Sequence, residues 1–451
     1  MGAIMDIAGL RNKRGLNPHQ WTIIGFAAII AAGALLLALP VSSADGESVG
    51  LLDALFTATS AVCVTGLTVI DTGTSFSLFG QYVIMLLIQI GGMGFMAYGV
   101  IIALLLGKRI GLKHRVFIQE STKSTSIKGL VKLVKAIVLI TFSFEAAGAA
   151  LLWLRWMPEL GAGQAAYYAV FHAVSAFNNA GFGLWPDSLV GYAGDPIVNL
   201  AITSLFIMGG IGFIVIVDVY RKRSWSRFSL HTKIVLLITA MLSGGGFLVI
   251  LGLELLNPAV FGALSWPEKL WAAYFQSVTT RTAGFNTVDL TGMLAASQFL
   301  MIFLMFIGAS SGSTGGGIKT NTFMVLLVAM YSSIRGRRQI HVFNRRISTE
   351  IVLSALSVII ISLGLVLTVS FLLSITEAGQ PFLSLLFEAT SAFATVGMTI
   401  GVTPELSPIG KIIIICTMFA GRLGPLTLAY ALASRQRDSK IGYPEEKVLI
   451  G

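Results

Sequence analysis

FTATSAVCVTG, residues 56–66, occurs in altered form three more times in the chain: FHAVSAFNNAG at 171–181, YFQSVTTRTAG at 274–284 and FEATSAFATVG at 387–397. Each copy opens on an aromatic residue (Phe56, Phe171, Tyr274, Phe387) and ends on a glycine (Gly66, Gly181, Gly284, Gly397). Each lies between two long apolar stretches, and successive glycines stand roughly 100–115 residues apart. Soluble repeat arrays have periods of about 20–50 residues. The repeated unit is therefore a membrane span, a segment that enters the membrane and returns, and a second span.

Composition agrees. Of 451 residues, 55% are hydrophobic and 12% charged, against about 25% charged in soluble globular chains. This is the balance of a polytopic membrane protein. Cys63 and Cys416 lie in apolar or re-entrant segments in opposite halves of the chain, as small buried hydrophobes rather than a disulfide framework. Residues 1–20 are polar and basic, and the apolar run from Trp21 is too long for the core of a cleavable signal peptide, so the first span is expected to serve as the insertion signal.

Spans can be drawn at Trp21–Leu39, Tyr82–Leu106, Ala136–Trp153, Ile197–Val217, Ile234–Leu256, Gln298–Met330, Ile351–Ile375 and Ile409–Leu432, each matched to a bilayer core of about 30 Å. The expected fold is an all-α polytopic membrane protein of eight spans in four repeats, 21–107, 134–219, 233–334 and 350–433, with cytoplasmic ends at 1–20 and 434–451. Segments such as Leu51–Ala61 and Phe382–Ala392 hold only about 10–12 apolar residues and cannot cross as helices. They must enter and return.

Orientation follows from charge. In this arrangement 25 of the 31 lysines and arginines fall on one face, in the N-terminus, the tail and the loops after the second, fourth and sixth spans. The other face collects Asp45, Glu47, Asp53, Asp71, Glu159, Asp187, Asp195, Glu268, Asp289, Glu377 and Glu405. By the positive-inside rule the termini are cytoplasmic and the re-entrant segments open outward. The net charge of +10 is thus a topology signal and calls for no nucleic acid.

Each unit crosses twice, so all four copies point the same way and can surround one central pathway with pseudo-fourfold symmetry. The C-terminal end of each re-entrant helix, carrying about half a negative charge, then points into the membrane centre. Glycine after such a helix permits positive φ. Non-helical backbone at membrane depth survives only where it lines protein or a wet cavity, and rings of backbone carbonyls can replace a cation's hydration shell. One such glycine reads as an ordinary helix cap; four aligned copies read as a cation filter of Val64, Thr65 and Gly66; Asn179, Ala180 and Gly181; Thr282, Ala283 and Gly284; and Thr395, Val396 and Gly397. One glycine per repeat, rather than a longer signature, predicts few coordination rings and loose selectivity. The aromatic that opens each copy is expected to pack rather than to bind.

Residues 308–320, GASSGSTGGGIKT, interrupt the sixth span between apolar flanks. They fail the phosphate-loop template, which needs glycine directly before lysine where Ile318 stands. The segment is either a flexible kink or a mobile plug, with Lys319 placing a positive charge beside the path. Arg422 in the last span is a second intramembrane charge, and such residues are functional candidates. Glu145 and Glu254 read as packing or interface residues away from the motif, and His172 and Glu388 as hydrogen-bond supports of their helices. His19, His114, His172, His231 and His341 are dispersed, with no metal spacing and no nucleophile elbow. The chain is therefore not expected to be an enzyme. A secondary active carrier built on the broken helix is the alternative to a continuous pore.

The fourfold pattern, with Val64-Thr65-Gly66-Leu67, Phe177 to Phe182, Arg281 to Asn286 and Thr395 to Met398, resembles the Trk/Ktr/HKT superfamily of potassium transporters over essentially the whole chain, most closely its bacterial Ktr membrane subunits. The resemblance implies potassium as substrate at the filter, since glycine in all four repeats accompanies potassium preference and serine in the first accompanies sodium permeation. It implies a gate formed by Gly308, Gly312, Ser313, Thr314, Gly315, Gly316, Gly317 and Lys319, with Arg422 facing the pore beneath the filter. It further implies a homodimer met by the tail, one pore per chain, a cytosolic ring of nucleotide-binding RCK subunits, sodium as a candidate activator, no cofactor in the chain itself, and a bacterial cell membrane location.

Overall fold

The computed structural model describes residues 18–94, 127–337, 339–424 and 446. The basic N-terminus, most of the loop after the second span, Arg338 and all of the tail but Glu446 lie outside the described residues, as do the ends expected for the first and fourth repeats.

The described chain is mostly helical, and one pattern recurs: a long helix, a short helix, and a second helix. The first set is α1 (Pro18–Leu37), α2 (Leu51–Cys63) and α3 (Leu78–Met93). The second is α4 (Ile127–Leu160), α5 (Ala162–Phe177), α6 (Pro196–Ile211) and α7 (Phe213–Lys222). The third is α8 (Leu230–Glu254), α9 (Trp266–Thr279), α10 (Ala295–Phe306) and α11 (Thr320–Ile334). After a hairpin of β1 (His341–Val342) and β2 (Arg345–Arg346), the fourth is α12 (Thr349–Thr376), α13 (Phe382–Ala394) and α14 (Pro408–Leu423).

Helices α1, α4, α8 and α12 contain stretches long and apolar enough to cross a membrane. Their outward faces are apolar, with Leu139, Leu248, Ile360 and Leu367 among the exposed residues, as expected where the surrounding solvent is lipid. The short helices are buried instead: every residue from Phe56 to Cys63 in α2, and from Phe387 to Ala394 in α13, is removed from solvent. Start signals explain where several second helices begin. Ser77, Asp195 and Ser407 each accept a hydrogen bond from a backbone N–H in the first turn of α3, α6 and α14, satisfying donors that the helix itself cannot.

Three of the second helices differ from the unbroken spans expected from sequence. Helix α3 ends at Gly94 (φ +78°) and α14 at Gly424 (φ +84°). At Gly212 (φ +100°) the chain bends by 94° between α6 and α7. Glycine at positive φ stops a helix that apolarity alone would continue. The expected interruption at 308–320 is present between α10 and α11, so all four second helices stop after 12 to 16 residues.

Packing links each set to the next. One buried cluster joins α1, α2 and α3 to α12, α13 and α14 through Phe56, Ile84, Leu373 and Met418. A second joins the second and third sets through Trp156, Phe206 and Phe275, and another the third and fourth through Met305, Phe387 and Val396. Lys411 of α14 pairs with Asp53 of α2 at 2.6 Å. First and last sets are therefore neighbours, although they stand at opposite ends of the chain.

Candidate functional site

The four short helices end in the same backbone turn. Two residues before each glycine the chain is left-handed, at Val64 (φ +57°), Asn179 (+59°), Thr282 (+70°) and Thr395 (+51°). The glycines follow at +94°, +70°, +81° and +91° for Gly66, Gly181, Gly284 and Gly397. Valine and threonine are rarely left-handed, and such residues store about 1–3 kcal/mol each where their surroundings hold them. The holding bonds are visible. The N–H groups of Thr65, Ala180 and Val396 donate to the carbonyls of Ser60, Ser175 and Ser391 at 2.8, 2.8 and 2.9 Å. Gly66 and Gly397 donate to the hydroxyls of Ser60 and Ser391 at 3.0 and 3.1 Å. The third copy has Val278 where the others have serine, and it closes differently: Ala283 N–H donates to Thr279 O at 2.9 Å, and the Thr279 hydroxyl to Phe285 O at 2.6 Å.

The four glycines meet. A Cβ added to Gly66 would stand 3.0 Å from Gly181 Cα, one on Gly181 2.9 Å from Gly284 Cα, one on Gly284 3.5 Å from Gly397 Cα, and one on Gly397 2.8 Å from Gly66 Cα. The series closes on itself. Against each glycine lies the carbonyl oxygen of the residue before the next one: Ala180 at Gly66, Ala283 at Gly181, Val396 at Gly284 and Thr65 at Gly397. None of these four carbonyls accepts a hydrogen bond among the described residues. All four glycines border one cavity of about 140 Å³, in which Asp71 is the single charged lining residue. Four carbonyls without donors, gathered where four helix C-termini converge, make a site that favours a cation.

The 308–320 segment lies directly against these turns. Its ends are held together by pairing of Ile307 with Ile318, and Gly308 sits so near Gly317 that a Cβ would come 3.1 Å from its Cα. The Thr314 hydroxyl donates to Asn179 Oδ1 at 2.7 Å. Gly315 faces the Thr282 side chain, Gly316 would place a Cβ 2.9 Å from Thr395 Cγ2, and Gly317 one 3.3 Å from Ala394 Cα. Thus the left-handed residues of three of the four copies touch this loop. Ser310 and Thr314 donate their N–H groups to Gly210 and Gly209 at 3.0 and 3.2 Å, and Phe213 donates to Gly312 O at 3.1 Å. These bonds stitch the loop to the break between α6 and α7. Ser313 closes a turn onto Ser310 O at 2.7 Å.

Lys319 and Arg422, the two cations expected within the membrane, are turned onto backbone. Lys319 Nζ donates to Gly315 O at 2.6 Å and Gly316 O at 3.3 Å. Arg422 donates to Thr314 O and Gly91 O, joining α14, the loop and α3. A third cation, Arg281 within the third copy itself, read from sequence only as part of the motif, is buried and donates to Gly308 O at 3.4 Å.

Two further features differ from the sequence reading. One is a second internal repeat, Gly91-Gly92-Met93-Gly94, Gly209-Gly210-Ile211-Gly212 and Gly421-Arg422-Leu423-Gly424, with Gly308-Ala309 in the corresponding place of the third set. Gly91, Gly209 and Gly421 lie against the carbonyls of Val62, Phe177 and Phe393, so close that no Cβ fits. Arg422 thus occupies the register held by Gly92, Gly210 and Ala309. The other is Glu145, expected to lie away from the motif. The structure instead brings it to Asn178, whose amide donates to Glu145 Oε1 and to Gln89 Oε1, both at 2.9 Å. Glu254 stays apart from the motif, accepting from Asn257 at 2.7 Å and Leu294 N–H at 3.1 Å.

Comparison with known proteins agrees with this architecture. The family model of TrkH, described as cation transport protein, matches residues 19–440. The chain is 49% identical over 435 residues to the Ktr system potassium uptake protein B of Bacillus subtilis, covering 96% of this chain and 97% of that one. It is 43% identical to the protein of the same name from Vibrio alginolyticus, covering 98% and 97%, and 38% identical to the potassium/sodium uptake protein NtpJ of Enterococcus hirae, covering 99% and 100%. The fold matches the crystal structure of the potassium transporter TrkH from Vibrio parahaemolyticus with a TM-score of 0.73 at 23% identity, covering 94% of this chain and 86% of that one. The chain is a multi-pass membrane protein of the TrkH family of cation transport proteins, and its work is transport rather than catalysis.

Proposed function

We propose that this chain takes potassium into the cell through a pore whose selective constriction is the ring of Gly66, Gly181, Gly284 and Gly397 with the carbonyls of Thr65, Ala180, Ala283 and Val396. The carrying observation is the closed glycine series with four unpaired carbonyls on it. A dehydrating potassium ion exchanges water oxygens for these carbonyls, while the left-handed residues Val64, Asn179, Thr282 and Thr395 aim the strand. The ion itself is substrate, and the chain needs no resident cofactor. Eight spans then surround the ring with pseudo-fourfold symmetry, termini inside and re-entrant helices open outward.

The loop from Gly308 to Lys319 is the gate. It blocks the inner side of the ring, held there by Thr314 on Asn179 and by Arg422 on Thr314 O. To open, it must release these bonds. The name Ktr system, carried by relatives, supports a transporter of several components. We assign the partner as a cytosolic nucleotide-binding ring, to which any nucleotide effect belongs, and the assembly as a homodimer in the bacterial cell membrane. The sodium in the name of the Enterococcus relative supports sodium as an activating or competing ion.

Rubidium uptake in cells lacking potassium uptake, with sodium competition, tests the ring. Gly66→Ser is expected to retain uptake but lose discrimination against sodium. Unchanged discrimination would make Gly66 a helix cap only and return the ion-coupled carrier, with the broken helix as its alternating site, to first place.

A further inference from the structure

The residue after the opening aromatic of each repeat is Thr57, His172, Phe275 or Glu388. In the second and fourth repeats this residue reaches past the glycine turn to the chain beyond it. Glu388 is fully buried; its two carboxylate oxygens accept the hydroxyls of Thr399 at 2.8 Å and Thr403 at 2.5 Å. Thr399 lines the cavity above the four glycines. His172 is also fully buried, packed edge-on or tilted against Trp156, Trp185 and Phe285. Its Nδ1 lies 2.8 Å from Tyr168 O, and its Nε2 is 3.3 Å from Leu184 N. A carbonyl only accepts and an amide N–H only donates, so the proton sits on Nδ1 and Nε2 accepts. By contrast, Thr57 donates to Asp53 O at 2.9 Å within its own helix, and phenylalanine offers no polar atom. The repeats braced from this position are the second and fourth, which the glycine series places opposite one another; the third is tied from the end of its helix, by Thr279 on Phe285 O.

We infer that Glu388 and His172 are positioning residues for ion selectivity: each ties the strand leaving the constriction to the helix entering it, so that two opposing walls of the outer mouth are held from this shared position. This rests on the filter reading. Carbonyl rings discriminate by the number and spacing of oxygens they present, so releasing a wall widens what the ring accepts. The Glu388 carboxyl and the Thr403 hydroxyl are both buried, so removing one leaves the other without that partner.

The test uses the full chain in cells lacking potassium uptake, with rubidium uptake measured against rising sodium. Glu388→Ala is expected to lower rubidium over sodium discrimination roughly ten-fold, about what one such bond is worth. Glu388→Gln, which keeps an acceptor and gains a donor that a threonine hydroxyl can accept, is expected to restore most of it. Wild-type discrimination in a well-folded, membrane-inserted Glu388→Ala protein overturns the proposal. So does failure of Glu388→Gln to restore, since charge rather than placement would then be at work. Where Glu388→Ala does not accumulate, Thr399→Val decides: reduced discrimination supports the brace and unchanged discrimination rejects it. Gly66→Ser, run beside these, separates the two levels. If neither it nor Glu388→Ala moves selectivity, the filter reading falls; if only Gly66→Ser does, the brace alone falls.

Discussion

At the scale of single residues, the same amino acid has opposite meanings in different places. Gly284 has φ +81°, faces the carbonyl of Val396, and would put a Cβ 2.8 Å from Gly181 Cα. Gly364, within α12, has open space around it. Gly284→Ala is expected to reduce selective uptake and lower the yield of folded protein. Gly364→Ala is expected to leave uptake intact and stabilise the helix by about 0.5–1 kcal/mol. Thermal unfolding in detergent and rubidium uptake, measured on both, check the contrast. The first glycine announces itself in the sequence because its ten preceding residues repeat four times. Glu145 does not, since its contact with Asn178 arises only when α4 lies along α5, 33 residues away. No periodicity carries such a pairing.

Elements are where the sequence was least complete. Four short helices could be placed because ten to twelve apolar residues between turn signals are too few to cross a membrane. The breaks in the second helices were legible only at 308–320, where hydroxyls accompany the glycines. In α3, α6 and α14 isolated glycines sit in apolar surroundings, and such glycines are tolerated in helices. Counted from each glycine of the ring, however, Gly91, Gly209, Gly308 and Gly421 follow at 25, 28, 24 and 24 residues, a register that alignment of the repeats would have exposed. The loop and the second repeat act on one another here. Thr314→Val removes the hydroxyl that donates to Asn179 while leaving the bond from Arg422 to the carbonyl of residue 314. It is expected to loosen the loop and raise rubidium uptake a few-fold at low external potassium, one neutral hydrogen bond being worth about 1 kcal/mol. Unchanged uptake at equal expression would remove Thr314 from the closing mechanism.

At the scale of the molecule, closure depends on bringing the first and fourth repeats together across most of the chain. A shared apolar cluster does most of this, and one ion pair, Lys411 with Asp53, spans the seam. With both side chains still partly open to solvent, at 16% and 26%, the pair is expected to contribute no more than about 1 kcal/mol. A double-mutant cycle of Lys411→Met and Asp53→Asn on thermal stability measures it; a coupling well beyond that would mark the seam as the weak point of the assembly. Fold class and the location of the ring follow from hydropathy and repetition. The neighbour order does not, because nothing local states that the last repeat returns to the first.

That return has a consequence for how such a protein changes over generations. In a pore assembled from four identical subunits, each mutation is copied into every wall at once. Here Thr65, Ala180, Ala283 and Val396 are separate codons contributing one oxygen each. A single nucleotide change therefore leaves all four backbone oxygens in place and reshapes only one wall behind them, so that, on the filter reading, ion preference drifts in small steps while three walls stay as they were.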